Sequence, residues 1–346
     1  MLLPSTMTIQ LVRKRCVMSS NTRFKSCGRS FLGCLFVLLN VCTLCVTGCV
    51  GANGAGSTAI PASTTSSAAV PGRGMWFWAG SSSDQFSSTA IVGNLALETQ
   101  TIANLQSWNV TTLYGSYNSL IQSNPAAVQA WNQMLASAHI QSYVLFSNTN
   151  NFLPEDWDAE QSEILTNFVD FNASAAQGAG FVGIAFDVEP DSFAGTTTRL
   201  SWNASTTATR RTYLTYFLNM LQSSRALLNE NGQSAAPMET ALATWYATLN
   251  SSIGWANSAD VDQWFGQLAQ TCTRVSLMAY EVSTPSLIIS DAQVEGSLLG
   301  STPRISLRST LGVEWTTLPQ FWQALQAVET QTSGYVDIED YETTAN

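Results

Sequence analysis

The chain of 346 residues is 45% hydrophobic and only 11% charged, which provides apolar material for a large core and excludes a disordered chain. Its formal net charge is −10, and from position 50 onward eight arginines stand against all 24 acidic residues. A domain this acidic lacks the basic surface with which proteins bind nucleic acid or anionic lipid, and it favours a neutral or cationic partner.

The first 49 residues have the pattern of a targeting segment. Six basic residues between Arg13 and Arg29 precede the apolar run Phe31–Val46, and this order is typical of a secretory signal. The run ends in Val46-Thr47-Gly48-Cys49, which resembles the bacterial lipobox, where the cysteine is acylated and becomes the new N-terminus. The pattern therefore predicts a lipoprotein of the cell envelope, lipidated at Cys49 and facing outward or into the periplasm. A membrane-spanning anchor and a cleaved signal with secretion are the alternatives.

Residues 50–73 are rich in Ser, Thr, Gly and Ala, a composition typical of a flexible linker. The membrane is therefore expected to be a partner only through the N-terminal segment. Residues 74–346 are expected to form a single catalytic-type domain.

In that domain, short apolar runs alternate with longer amphipathic ones. Eight runs are predicted as strands: Met75–Ala79, Val110–Gly115, Gln141–Ser147, Phe181–Val188, Thr240–Tyr246, Arg274–Tyr280, Arg304–Ser309 and Gly334–Glu339. Predicted helices between them include Pro125–Ala138, Asp158–Ala176, Thr206–Leu228 and Leu318–Thr330. Eight alternations indicate an α/β fold of the (β/α)₈ TIM-barrel type, with the last outer helix missing or short. A doubly wound open sheet is the alternative, but no Gly-rich dinucleotide turn follows the first strand.

Residues that commonly bind metals are scarce in this domain. Cys272 is its single cysteine and His139 its single histidine, which excludes a disulfide framework, a cysteine zinc site and a two-histidine metal site. We expect no metal and no other cofactor. His139 is expected at a helix end or on the surface, and Cys272 as a small buried hydrophobe.

The fourth predicted strand carries the strongest functional signal. Side chains alternate along a strand, so Ala185, Asp187 and Glu189 share one face while Phe186 and Val188 face the helices. The two carboxylates then point into the barrel mouth, where mutual repulsion keeps a proton on one of them to higher pH, as a general acid requires. The alternative is an acid pair that caps the next helix or binds a structural cation.

Two segments carry a family resemblance. The segment GFVGIAFDVEP resembles the fourth-strand signature D-x-x-D-x-D-x-E of glycoside hydrolase family 18, with Asp187 and Glu189 matching the last two acids and Val182 and Ala185 replacing the first two. The segment VSLMAYE is similar to the sixth-strand M-x-Y-D of that family, with Glu281 in place of the Asp. The chain is thus similar to a divergent chitinase or endo-N-acetylglucosaminidase barrel.

The resemblance implies a retaining, substrate-assisted glycosidase that acts on an N-acetylhexosamine-containing glycan. Glu189 would protonate the glycosidic oxygen, and the substrate's own acetamido carbonyl would attack the anomeric carbon. Asp187 would orient the acetamido group and stabilise its positive charge, and Tyr280 would donate a hydrogen bond to the acetamido oxygen. The matching positions Met278 and Glu281 would bind substrate.

Other functions remain open at this stage. Glu314, after the seventh strand, together with Glu189 resembles the nucleophile and acid of two-glutamate retaining glycosidases. The absence of acids at positions 182 and 185 instead favours a non-catalytic glycan-binding lipoprotein on the same barrel. A structural envelope protein without a glycan site is the third alternative.

Aromatic residues are frequent at the predicted strand ends, where flat rings would stack on sugar faces. Binding residues predicted on this ground are Trp76, Trp78, Tyr114, Trp245, Tyr246 and Trp315. Glu339, at the end of the eighth strand, is predicted to bind substrate through its carboxylate.

Overall fold

The computed structural model describes residues 72–249, 253–301, 303–332 and 334–345. The predictions for Cys49, for the targeting segment and for nearly all of the linker lie outside the described residues. Eight parallel strands close into a barrel, each paired with the next in the chain and β8 with β1. The strands are β1 (Arg73–Phe77), β2 (Val110–Gly115), β3 (Gln141–Phe146), β4 (Gly183–Phe186), β5 (Met238–Ala243), β6 (Arg274–Met278), β7 (Pro303–Arg308) and β8 (Val336–Glu339). The predicted (β/α)₈ barrel is confirmed.

Helices connect the strands and cover the barrel. They are α1 (Ser88–Ile91), α2 (Leu95–Ser107), α3 (Asn118–Ser123), α4 (Pro125–Ser137), α5 (Trp157–Ile164), α6 (Phe171–Ser174), α7 (Thr207–Glu230), α8 (Ser258–Thr271), α9 (Pro285–Leu299), α10 (Leu318–Thr332) and α11 (Tyr341–Ala345). Three short 3₁₀ turns lie at Thr149–Phe152, Pro154–Asp156 and Pro190–Ser192. The last helix, α11, has only five residues, which confirms the prediction of a short final helix.

Most element boundaries differ from the predicted ones by one to three residues, and two elements show differences with a structural cause. The hydrogen-bonded ladder of β4 covers Gly183–Phe186, whereas the predicted strand was Phe181–Val188. Asp187 still donates its backbone N–H to the Phe146 carbonyl, and beyond this residue the chain leaves the sheet toward the mouth. The single helix predicted over Asp158–Ala176 is interrupted by the π-helical segment Leu165–Asp170. Such wide turns accommodate an extra residue within a helix.

Residues that precede strands have the simple roles expected of them. His139 is exposed, directly after α4, with a positive φ of 61°, a conformation that ends helices. Cys272 is 3% exposed, where α8 leads into β6. Both predictions are confirmed. Within the described residues, no helix is long and apolar enough to cross a membrane.

The barrel interior has an apolar part and a charged part. The apolar part is a cluster of Trp76, Tyr114, Tyr143, Leu145, Ala185 and Ala241. The charged part centres on Arg304, whose guanidinium donates to Asp337 Oδ1 at 2.7 Å and to the Tyr114 hydroxyl at 3.1 Å. Asp337 also accepts from Ser276 Oγ at 2.6 Å, and Tyr114 donates to Glu239 Oε2 at 2.5 Å.

Glycine is required where the backbone approaches this charged part. A Cβ on Gly74 in β1 would lie 2.0 Å from Asp337 Oδ1, so only glycine lets β1 pass there. The Asp337 side chain occupies the space that a side chain at position 74 would need. The charged part lies toward the amino ends of the strands. The carboxyl ends of the strands, on the other side of the barrel, form the mouth in which a barrel of this type carries its functional residues.

Candidate active site

The predicted acid pair lies at the mouth, immediately after β4. Phe186 and Val188 are 0% and 1% exposed and belong to the layer between strands and helices, while Ala185 belongs to the interior cluster. Asp187 and Glu189 are both partly exposed, on the inward face that begins with Ala185. The alternation predicted from the sequence is therefore observed.

Four carboxyl groups meet at this mouth. Burial raises the pKa of Asp187 well above its usual value, and the charges of Glu189, Glu339 and Asp191 raise it further. Burial also raises the pKa of Glu189. A hydrogen bond from Ser192 lowers this pKa, and the charge of Asp191 raises it further. The pKa of Glu339 is raised to about 7, chiefly by burial, although a hydrogen bond from Tyr280 lowers it. The group as a whole retains protons at pH values where isolated carboxyls are ionised.

Hydroxyl groups orient these carboxyls. The Ser192 hydroxyl donates to Glu189 Oε2, and the Tyr246 hydroxyl donates to Asp191 Oδ1. Burial raises the pKa of Asp191, and the hydrogen bond from Tyr246 opposes that rise. Ser192 of the Pro190–Ser192 turn thus holds Glu189, and Tyr246, which follows β5, holds Asp191; both contacts limit the positions that the carboxylates can take.

Tyr280 reaches the same mouth from the end of β6. Its hydroxyl lies 3.1 Å from Ser306 Oγ, and the Arg308 guanidinium lies 5.4 Å from its ring centroid. Burial raises the pKa of Tyr280 well above its usual value, and the charges of Glu339 and Asp187 add to the rise. The hydroxyl thus stays protonated and can donate a hydrogen bond.

Glu314 has a different environment. Its Oε1 accepts from Arg308 Nε at 3.1 Å and from the Glu281 backbone N–H at 3.0 Å, and a second guanidinium nitrogen of Arg308 also contacts it. The side chain of Glu281 is exposed beside it, and Glu281 has a positive φ of 66°. The carboxylate of Glu314 is therefore bound mainly to Arg308 and to the turn after β6.

The predicted aromatic residues fall into two groups. Trp76, Tyr114, Tyr246 and Trp315 are between 1% and 4% exposed, and the Tyr114 hydroxyl is directed to Glu239 in the charged interior. Trp78 and Trp245 are half-buried, as is the predicted binding residue Met278. Trp78 stacks on Trp76 with ring centroids 6.1 Å apart, and Trp245 packs edge-on against Tyr246 at 4.9 Å. Among the predicted tryptophans, Trp78 and Trp245 are the two with ring surface left for a ligand.

Four residues of this mouth were not among the predicted site residues. Asp191 and Ser192 lie two and three residues after Glu189, in the Pro190–Ser192 turn that brings them back to the mouth. Ser306 and Arg308 share the inward face of β7, a pattern visible in the sequence. Arg308 is the residue that links Tyr280 to Glu314.

The side chains of the mouth that could contact a metal ion are carboxyls and hydroxyls. Across the described ranges, no group of three or more His, Cys, Asp or Glu side chains is arranged to hold a metal ion.

Comparison with known proteins gives similarity at the level of structure. No family model matches the chain, and no curated protein matches it. The class V chitinase from Nicotiana tobaccum matches with a TM-score of 0.40 at 11% identity, covering 68% of this chain and 66% of that enzyme, just under two thirds of its length. The GH18 chitinase from Cycas revoluta, in complex with allosamidin, matches with a TM-score of 0.44 at 9% identity, covering 78% and 95%. The spore cortex-lytic enzyme SleL of Bacillus megaterium matches with a TM-score of 0.43 at 12% identity, covering 79% and 73%.

The similarity extends to another glycosidase barrel. The catalytic domain of a mannanase from Streptomyces sp. SirexAA-E matches with a TM-score of 0.45 at 10% identity, covering 78% of this chain and 74% of that one. The chain has distant structural similarity to GH18 chitinases and to other TIM-barrel glycosidases.

Proposed function

We propose that this protein is a retaining glycoside hydrolase that cleaves an N-acetylhexosamine-containing glycan with assistance from the substrate's acetamido group. One observation carries the proposal: Asp187 and Glu189 lie together at the carboxyl end of β4, in a mouth whose burial and charge keep protons on carboxyl groups. Barrel enzymes have their catalytic residues at this end.

Glu189 is the general acid in this mechanism. Burial raises the pKa of its carboxyl, which favours the protonated form that a general acid needs, and the Ser192 hydroxyl fixes the position of one carboxyl oxygen. The proton passes to the glycosidic oxygen as the bond to the anomeric carbon breaks. The acetamido carbonyl forms the new bond to that carbon, and water later opens the resulting ring with Glu189 acting as base.

Asp187 and Tyr280 serve the acetamido group. Positive charge develops on that group as its oxygen attacks, and this charge favours the ionised form of Asp187, whose burial otherwise opposes ionisation. Tyr280 donates a hydrogen bond to the acetamido oxygen and remains protonated throughout. The contacts of Glu314 with Arg308 and Glu281 favour this assignment over Glu314 as an enzyme nucleophile.

The test compares Glu189→Gln with Glu230→Gln, since Glu230 is exposed at the end of α7. General acid catalysis contributes on the order of 10²–10⁴-fold, so hydrolysis of N-acetylhexosamine oligomers is expected to fall by about that factor in Glu189→Gln alone. Asp187→Asn and Tyr280→Phe should also slow turnover. A thiazoline mimic of the bridged intermediate should compete with substrate.

Two results would contradict the proposal. A fluoro-sugar adduct on Glu314, with no competition by the thiazoline, would show the two-glutamate mechanism. Binding of glycan by the unaltered protein without turnover would show a glycan-binding protein on the same barrel.

We also propose that the protein is held at the cell envelope through a lipidated Cys49. The support is the basic region, the apolar run and the lipobox-like ending of the first 49 residues.

A further inference from the structure

A cleft of about 480 Å³ opens beside the mouth, between the segments that follow β6 and β7. Glu314 and Trp315 line its buried side, and Ser283, Gln320 and Gln323 line its exposed side. The cleft is thus lined largely by hydroxyl, carboxamide and carboxylate groups. Uncharged hydroxylated ligands are bound by linings of this kind.

The carboxylate of Glu314 has one oxygen without a partner. Its side chain is only 2% exposed, and Oε1 is held by Arg308 and by the Glu281 backbone N–H. Oε2 is buried and accepts no hydrogen bond within the described residues. A buried acceptor left without a donor is costly, so this atom marks a place where a ligand can donate a hydrogen bond.

The charge of Glu314 is already balanced. Arg308 forms an ion pair with it, and the first turns of α9 and α10, at Pro285 and Gln320, line the same cleft. Helix N-termini carry partial positive charge. A cationic ligand therefore gains little here, and an anionic ligand is repelled by the carboxylate. A neutral hydrogen-bond donor fits the site best.

Two residues, Glu281 and Arg308, connect Glu314 to the proposed catalytic group Tyr280. Glu281 follows Tyr280 directly and donates to Glu314, and Arg308 contacts both the Tyr280 ring and Glu314. The Gln320 carboxamide oxygen accepts from the backbone N–H groups of Thr316 and Thr317 at 3.0 and 3.1 Å, which fixes that edge of the cleft. These contacts place Glu314 and Tyr280 on adjoining segments at the ends of β6 and β7.

We propose that this cleft is a sugar-binding subsite in which Glu314 Oε2 accepts a hydrogen bond from a neutral sugar hydroxyl. The identity of the chain rests on the proposed function, and the subsite makes oligosaccharides better ligands than short fragments. Glu314 is then a binding residue, which accounts for a carboxylate beside the mouth that the reaction itself does not use.

The test fills the cleft and measures binding without turnover. Gln323→Trp places an indole in the cleft, and Gln326→Trp places one on an exposed position of the same helix that does not line it. In a Glu189→Gln background, calorimetry measures affinity for N-acetylhexosamine oligomers of two and four units. A hydrogen bond to a charged group corresponds to about tenfold to a hundredfold in affinity, so Gln323→Trp should weaken four-unit binding by about that factor and Gln326→Trp should not.

Glu314→Gln gives an independent measurement, with its thermal transition recorded to check folding. The ratio of four-unit to two-unit affinity should fall toward one, which a purely structural role of Glu314 would not produce. Equal effects of the two tryptophan variants, or equal affinities for both lengths in the parent, would overturn the subsite. Tighter binding of a glucosamine tetramer than of its acetylated form would overturn the assignment to a neutral donor. If the protein proved not to hydrolyse the glycan, these binding measurements would still test the subsite.

Discussion

Replacement of Asp337 by Asn removes one charge from the barrel interior while its shape is kept. The Asp337 side chain is 0% exposed and pairs with Arg304, which is 2% exposed, at 2.7 Å. Removing one partner of a buried ion pair leaves the other charge uncompensated and costs about 3–5 kcal/mol. Glu239 contributes a second negative charge near Arg304, so we expect a loss at the lower end, about 3 kcal/mol.

The matched control is Glu155→Gln, which removes the acid of an exposed pair. Arg199 and Glu155 are 31% and 44% exposed at 2.9 Å, and exposed pairs contribute about 0–1 kcal/mol. Denaturant titration monitored by tryptophan fluorescence gives the free energy of unfolding for both variants. If Asp337→Asn costs no more than Glu155→Gln, burial does not make this pair essential, and our account of the barrel interior is wrong.

Two further predictions concern the anchor and the sugar-binding surface. Cys49→Ser should abolish lipid labelling and release the protein from the membrane fraction; unchanged labelling would favour a membrane-spanning anchor. Trp245→Ala should weaken glycan affinity with little change in the thermal transition, because the half-buried ring offers a stacking surface. A lowered transition with unchanged affinity would instead show that Trp245 serves packing against Trp202 and Tyr246.

The acid pair could be predicted because its position depends only on local geometry. Strand alternation decides that Asp187 and Glu189 face inward once Phe186 and Val188 are buried. The same rule places Tyr280 and Met278 on one face of the β6 segment. Neither inference requires knowledge of how distant strands meet.

Contacts across the barrel could not be predicted in this way. The influence of Glu339 on Asp187 depends on closure between β8 and β1, which brings the ends of distant strands together. The direction of the Tyr114 hydroxyl also depends on closure, since its partner Glu239 lies 125 positions away in the chain. Strand ends indicate which side chains can reach the mouth, but the stagger of the strands decides which ones point to the charged interior instead.

Glu160 offers a test of burial outside the mouth, through the dependence of stability on pH. It lies in α5, is 2% exposed, and neither carboxyl oxygen has a hydrogen-bond partner within the described residues. Burial, with a contribution from the charge of Glu163, raises its pKa from 4.5 to about 8. The unfolded chain therefore releases this proton at lower pH than the folded protein does.

The contribution of Glu160 to the free energy of unfolding is fully present below pH 4.5 and is lost as the pH rises toward 8. In that interval the folded state holds a proton that the unfolded chain has already released. At about 1.4 kcal/mol for each pH unit, the decline is on the order of 3–5 kcal/mol. Glu160→Gln removes this titration, so the variant should gain stability over the parent at pH 8.5 and differ little at pH 4.5. Asp158→Asn, exposed on the same helix, is the matched control. Parallel stability curves for Glu160→Gln and the parent between these pH values would show that the carboxyl reaches solvent or a partner in solution, and the inference from burial would fail.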